Sequence, residues 1–222
     1  MRILGIDTAS GIASVALVED ARVLGENASA TAGHRSDLLL LIDALCAAAD
    51  LSPRDLDAVA IGAGPGSFTG LRIGMATAKG IAFAANRPLW AVSSLAALAF
   101  AADAPGRLVV GVLDARRGEV YAGAYRKEDA RLVLLGEERV MPPGELAAFR
   151  DAYFIGDAQS AYPELGALDG SWGVTPSAAA VAKLALAGAR VDVLVRGAPS
   201  YIRPSEAEIR YPDGVPGALR KR

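Results

Sequence analysis

Leu108-Val109-Val110-Gly111-Val112-Leu113-Asp114 is an apolar run that ends in aspartate, and it repeats a pattern met earlier at Arg2-Ile3-Leu4-Gly5-Ile6-Asp7. Short apolar runs bounded by polar turns read as buried strands. The next strand is expected six residues after each aspartate, at Ala13 and at Val120. Working outward from the first copy, residues 13–19 and 23–29 read as strands around a polar turn at Asp20, and residues 37–49 as a helix behind an N-cap at Ser36. A buried strand at 58–62, a glycine loop, a helix over 71–85, a strand at 89–92 and a helix opened by Ser93 or Ser94 and ending near Ala102 complete it. The second copy is looser. It holds a short helix at 145–150, a strand at 153–156, and a helix capped by Thr175-Pro176 that ends at Gly188. Strand-strand-strand-helix-strand-helix order thus appears twice. It predicts an α/β fold of two tandem lobes with mixed sheets flanked by helices, 1–105 and a smaller, degraded 106–222 with an extended tail.

Composition narrows the functional classes. Of 222 residues 52% are hydrophobic and 22% charged, which predicts a globular chain with a large core. The formal net charge is −2 and the one dense basic cluster is Arg220-Lys221-Arg222, so independent gripping of a nucleic acid is not expected. Cys46 is the sole cysteine, which rules out an intramolecular disulfide and suits a reducing compartment. The chain enters a strand pattern at once, without the pattern of a secretory signal, and its apolar helices are broken by Asp, Lys or Gly. A soluble, cytoplasmic protein with no membrane partner is expected.

Gly64-Pro65-Gly66-Ser67-Phe68-Thr69-Gly70 joins a strand to a helix, so its N–H groups lie at a positive helix end that suits anions. It is not a Walker A loop, because Thr69 stands where the second glycine belongs and no Lys-Ser/Thr follows before Leu71-Arg72. The G-x-G-x-x-G spacing of dinucleotide sites fails at Thr69 as well. A structural turn with positive φ at its glycines, capped by Ser67 or Thr69, is the favoured reading over a phosphate site. Asp7-Thr8-Ala9-Ser10 can hold a metal or a phosphate, and Asp114-Ala115-Arg116-Arg117 occupies the matching place in the second lobe. Phosphate turns of two-lobed ATPases need small residues there; two arginines fit poorly and suit salt bridges or an acidic partner better. His34 is the only histidine, which excludes a metal site built on a histidine pair. Cys46 lies in an apolar helix and reads as a small core residue, and no serine has a nucleophile-elbow context.

The helices carry a sharper signal. Leu38 to Ile42 is unbroken apolar sequence, and Ala44 to Ala49 continues it, so this helix is apolar all round. The next carries only Arg72 and Lys79 as charges, on one face, with a small-residue row at Gly70, Gly74, Ala78 and Ala82. One face of each helix covers the sheet; the other predicts an exposed apolar surface that docks against another helix pair.

Four stretches carry a family resemblance: Ile6 to Ser10, Gly64 to Gly74, Asp114 to Tyr121, and Tyr201-Ile202-Arg203 followed by Ala207-Glu208. The chain resembles the TsaB/YeaZ family, and the glycine-loop stretch is the most specific of the four. The resemblance implies a ribonuclease H-like fold shared with actin, Hsp70 and sugar kinases. It also implies a non-catalytic role in making threonylcarbamoyladenosine on tRNA: binding and supporting a TsaD-type catalytic subunit, with a TsaE-type ATPase as third partner. It implies tRNA contact only through that complex, and a homodimer when the chain is alone. It implies no catalytic, metal or cofactor-binding residues, with weak nucleotide binding left open. Ile155-Gly156-Asp157 keeps one glycine where an ATPase needs a pair. Family docking runs through the first two helices, here 36–49 and 71–85. The residues expected at that interface are Leu38, Leu39, Ile42, Cys46, Leu71, Arg72, Met75, Ala78, Lys79 and Ala82. The competing reading is a divergent actin-like ATPase or kinase using Asp7 and the glycine loop; a protease is disfavoured by the single histidine.

Overall fold

The computed structural model describes residues 1–29, 37–128, 131–194 and 197–203. Ser36, His34, Ala207-Glu208 and the tail beyond Arg203 lie outside the described residues. Strands β1 (Arg2–Asp7), β2 (Ser14–Glu19) and β3 (Arg22–Ala28) form an antiparallel meander. Strand β4 (Ala58–Gly62) pairs in parallel with β1, and β5 (Leu89–Val92) in parallel with β4. Helices α1 (Leu38–Ala48), α2 (Phe68–Ala85) and α3 (Ser94–Ala101) fill the crossovers and the exit from the first sheet.

The second sheet repeats this scheme. Strands β6 (Leu108–Arg116), β7 (Glu119–Glu128) and β8 (Arg131–Leu134) form the meander, while β9 (Arg139–Met141) pairs with β7. Strand β10 (Tyr153–Gly156) runs parallel to β6, and β11 (Gly170–Trp172) parallel to β10. Both sheets therefore read third-second-first-fourth-fifth across their strands. The protein is an α/β fold of two ribonuclease H-like lobes.

The first sheet is covered on both faces, which is why β1 and β4 are apolar at nearly every position and not at alternate ones. On one face α1 and α2 bury Leu38, Ile42, Leu45, Cys46, Met75, Ala78 and Ala82 against Leu4, Ile6, Val15, Leu17, Val59 and Ile61. On the other, α4 (Ala178–Leu186) packs on Ile3, Ala16, Val18, Ala58 and Ala60. Helix α3 buries Leu95, Leu98 and Ala99 against Val109, Leu113, Tyr121, Tyr125 and Ile155 of the second sheet, so it joins the lobes.

Three expectations need correction. Residues 106–222 are not one lobe: α4 covers the first sheet, and β12 (Val191–Asp192) pairs antiparallel with β5 at its edge. Local sequence says that 178–186 is helical, but which sheet it covers is settled by long-range packing. The helix expected at 145–150 is a 3-10 helix at Pro143–Ala148. The cap of α4 is Ser177, whose Oγ accepts from the Ala180 N–H at 3.3 Å; Thr175 lies upstream.

Candidate functional site

The glycine loop is built for close packing. Ser67 caps α2 by accepting from the Gly70 N–H at 3.5 Å, so the helix starts at Phe68, three residues earlier than expected, and Thr69 is exposed in its first turn. A Cβ on Gly66 would stand 2.4 Å from the Ala9 carbonyl oxygen, and one on Gly74 2.2 Å from Thr8 Oγ1. Thr8 Oγ1 donates to the Gly70 carbonyl at 2.8 Å, and the Ser67 N–H donates to the Ala9 carbonyl at 2.6 Å. Gly64 has φ +104 and its Cβ position would meet the Leu71 side chain. The small row Gly70, Gly74, Ala78, Ala82 thus faces inward and lets α2 lie close on the end of β1.

Asp7 is turned inward. Its side chain is 1% exposed; Oδ1 accepts from the Ala9 N–H at 2.8 Å and Oδ2 from Ser94 Oγ at 2.7 Å, and it is not among the residues lining the cleft between the lobes. Burial, opposed by those two hydrogen bonds, pushes its pKa up to about 6. The sign follows from linkage. The folded-state pKa is raised, so the stability linked to this group is fully present below the ordinary aspartate pKa and is lost as pH rises through about 6. Asp7→Asn is therefore expected to raise stability at pH 8 by about 2–3 kcal/mol, and to make little difference at pH 3.5. Thermal melts at the two pH values check this; equal effects at both would show that the buried carboxylate ionises without cost.

The cleft between the lobes has a volume of about 1100 Å³. One wall is Ala9, Ser10, Ser67, Thr69 and Arg72 beside the N-terminus of α2; the other is Asp114, Arg116, Arg117 and Asp157. Arg116 and Arg117 form the β6–β7 turn with Gly118, at φ 63, 57 and 80. Arg116 pairs with Asp114 at 3.2 Å. Asp157 accepts from the Asp114 N–H at 3.2 Å, and burial pushes its pKa up to about 6. Residues 197–203 cross the mouth. Ser200 donates its N–H to the Ala63 carbonyl at 2.7 Å, and the Tyr201 ring packs 5.3 Å from that of Phe68. Arg203 ion-pairs with Glu119 at 3.1 Å and donates to the Ala115 carbonyl at 2.9 Å. This segment ties the first lobe to the second.

The structure divides the expected interface residues. Leu38, Ile42, Cys46, Leu71, Met75, Ala78 and Ala82 are buried in the chain's own core and cannot meet a partner while the lobe stays folded. Arg72 lies over the Phe68 ring at 3.9 Å and donates to Tyr201 Oη at 3.3 Å, in the cleft. Lys79 is half-buried and donates to the Gly197 carbonyl. Leu39, 61% exposed, is the one that stands outward on an apolar surface. Around the two helices the outward positions are Leu40 at 68%, Phe83 at 80%, and the exposed small residues Ala44, Ala47, Ala76, Gly80 and Ala84. An outer small-residue row at 76, 80 and 84 thus lies on the opposite side of α2 from the inner one. Leu40 and Phe83 were not among the residues expected at the interface. Once the structure shows Leu71, Met75, Ala78 and Ala82 to be inward, a 3.6-residue period puts 76, 80 and 83–84 outward. Among the described residues, no group of three or more potential metal ligands comes together, and no helix is long and apolar enough to cross a membrane.

The family model described as TsaD: tRNA N6-adenosine threonylcarbamoyltransferase matches residues 27–194. The tRNA threonylcarbamoyladenosine biosynthesis protein TsaB of Escherichia coli K12 is 36% identical, over 75% of this chain and 75% of its own. The protein of the same name from Bacillus subtilis 168 is 30% identical over 95% of this chain and 98% of its own. The solved structure of YeaZ from Pseudomonas aeruginosa superposes with a TM-score of 0.79 at 31% identity, covering 90% of this chain and 99% of that one. Sequence kinship over nearly the full length, joined to the same two-lobed architecture, makes this chain a member of the TsaB/YeaZ family.

Proposed function

We propose that this chain is a non-catalytic, cytoplasmic subunit of the bacterial tRNA threonylcarbamoyladenosine machinery, which docks a TsaD-type catalytic subunit through the outer face of α1 and α2. The observation that carries the reading is that face. Leu39, Leu40 and Phe83 stand 61%, 68% and 80% exposed on helices from one side of one sheet. Large apolar side chains left exposed on the outside of helices mark a partner site, and the small residues at 76, 80 and 84 leave room for a second helix to approach closely. The names of the relatives supply the pathway. The non-catalytic part rests on two features of the cleft. Asp7, the acid a nucleotide-site reading needs, is turned inward to Ala9 and Ser94, and Arg116-Arg117 fills the second-lobe turn where a phosphate would approach backbone. On this reading a TsaE-type ATPase is the third partner, tRNA is met through the assembly, and two copies of this chain pair by the same face when the catalytic subunit is absent.

Reconstitution tests the reading. A TsaD-type subunit from the same source, with its threonylcarbamoyl-adenylate donor and tRNA, is expected to form the modified nucleoside efficiently only when this chain is added. Equal product with and without it would refute the subunit role.

A further inference from the structure

Across the 11 residues of α1 and the 18 of α2 stand only three charged side chains, Asp43, Arg72 and Lys79. Both cations are engaged by the segment that crosses the cleft mouth: Arg72 donates to Tyr201 Oη at 3.3 Å, and Lys79 to the Gly197 carbonyl. Asp43 is exposed and, among the described residues, makes no hydrogen bond and no ion pair. Its place follows from helix rotation. Helix α1 lies over β2 and β3, and α2 over β4 and β1, so α2 flanks α1 on the side away from β3. Leu45 leans toward β3, where a Cβ on Gly25 would stand 2.8 Å from its Cδ1. Two residues along a helix is a rotation of about 200°, which puts Asp43 on the outer surface, on the flank toward α2. Leu39 and Ala47, four residues to either side, are exposed on the same stripe. Cys46 borders that flank: burial pushes its thiol up, and the negative charge of Asp43 pushes it further. One carboxylate thus stands within the exposed face that carries Leu39, Leu40 and Phe83.

We infer that Asp43 determines the specificity of the docking face: it accepts a lysine or arginine side chain from the helix pair of the catalytic subunit, inside an otherwise apolar contact. The inference rests on the docking role proposed above. Covering an apolar helix face strips water from every group on it, and a carboxylate stripped of water without a cation opposes the contact. The occupant that fits is therefore an apolar surface with one basic side chain opposite Asp43. A second copy of this chain fits less well. Its own α1 and α2 bring no free cation, because Arg72 and Lys79 are already engaged, so self-pairing covers two carboxylates with nothing to neutralise them. The same group that rewards the catalytic subunit thus penalises the homodimer, which orders the two affinities and fixes how the partner's helices lie.

Calorimetry of the full chain with a TsaD-type subunit from the same source, beside sedimentation equilibrium of the chain alone, tests this. Asp43→Asn removes the charge at nearly constant size and is expected to weaken the mixed complex about tenfold or more, and Asp43→Lys about 100-fold or more. Asp43→Glu, which keeps the charge, should stay within about threefold of the parent, and Asp103→Asn, an exposed carboxylate outside α1 and α2, should change nothing. Thermal melts of all four variants should match the parent, since Asp43 holds no described partner in the folded chain. Self-association should not be weakened by Asp43→Asn, an opposite response that damage to α1 would not produce. Parent-like affinity of Asp43→Asn and Asp43→Lys, in an assay where the parent binds, would overturn the inference and leave the docking role standing; so would equal weakening of the mixed complex and of self-association. A parent that does not bind at all would remove the docking role, and the inference with it.

Discussion

Phe83→Asp is expected to weaken association with a TsaD-type subunit by about 100-fold or more, while the melting temperature of the isolated chain stays within a few degrees of the parent. Phe83 is the most exposed large apolar side chain described, at 80%, so its removal costs the folded chain almost nothing. At an interface the same ring is the natural anchor: aromatic, flanked by the small residues Gly80 and Ala84, and beside a shallow apolar concavity formed by Pro53, Ile81 and Ala85. A carboxylate there would be desolvated without a partner, which costs several kcal/mol or forces the complex apart, on the order of the effect expected. Affinity measured by calorimetry, beside a melt of the same preparation, checks both halves. Unchanged affinity would remove Phe83, and with it the outer face of α2, from the interface.

Leu38→Asp and Leu39→Asp, one residue apart, are expected to fail in opposite ways. Leu38 is 1% exposed and packs in the core beneath α1, whereas Leu39 is 61% exposed. Losing a buried leucine costs about 2–5 kcal/mol, and an unpaired buried carboxylate adds several more, which together approach the whole stability of about 5–15 kcal/mol of a domain. Leu38→Asp should therefore yield unfolded or aggregated protein, and Met75→Asp the same. Leu39→Asp should melt within about 0.5 kcal/mol of the parent and lose only partner affinity. Circular dichroism melts of the three proteins separate these outcomes; a cooperative, parent-like melt for Leu38→Asp would mean that α1 is rotated from the orientation described.

The strand skeleton was legible because each strand is short, strongly apolar and fenced by turn residues, and because Leu108–Asp114 repeats Arg2–Asp7 at the same spacing to its next strand. Ser93, read beside Ser94, marked the start of α3 by its capping chemistry, whereas α2 starts behind Ser67 at Phe68, three residues before the expected Leu71. What the sequence hid was rotational phase. Leu38-Leu39-Leu40-Leu41-Ile42 offers no polar residue to mark an outer side, so only packing against β2 and β3 separates Leu38 from Leu39. In α2 two small-residue rows run on opposite sides, and Gly74 belongs to the inner one because Thr8 leaves no room for a Cβ. The inward turn of Asp7 was hidden for a similar reason: its two hydrogen-bond partners are Ala9, nearby, and Ser94, eighty-seven residues away. Return of α4 and β12 to the first sheet is a long-range choice that their local patterns do not encode.

Binding of a TsaD-type subunit through α1 and α2, as proposed, can be seen by light scattering on a size-exclusion column. The chain and a TsaD-type subunit from the same source would be run apart and then mixed, with Phe83→Asp in parallel. A new peak with the mass of a complex containing both chains in equal numbers is expected, and it is absent when Phe83→Asp replaces the parent. Two unshifted peaks in the parent mixture, at concentrations well above micromolar, would contradict it.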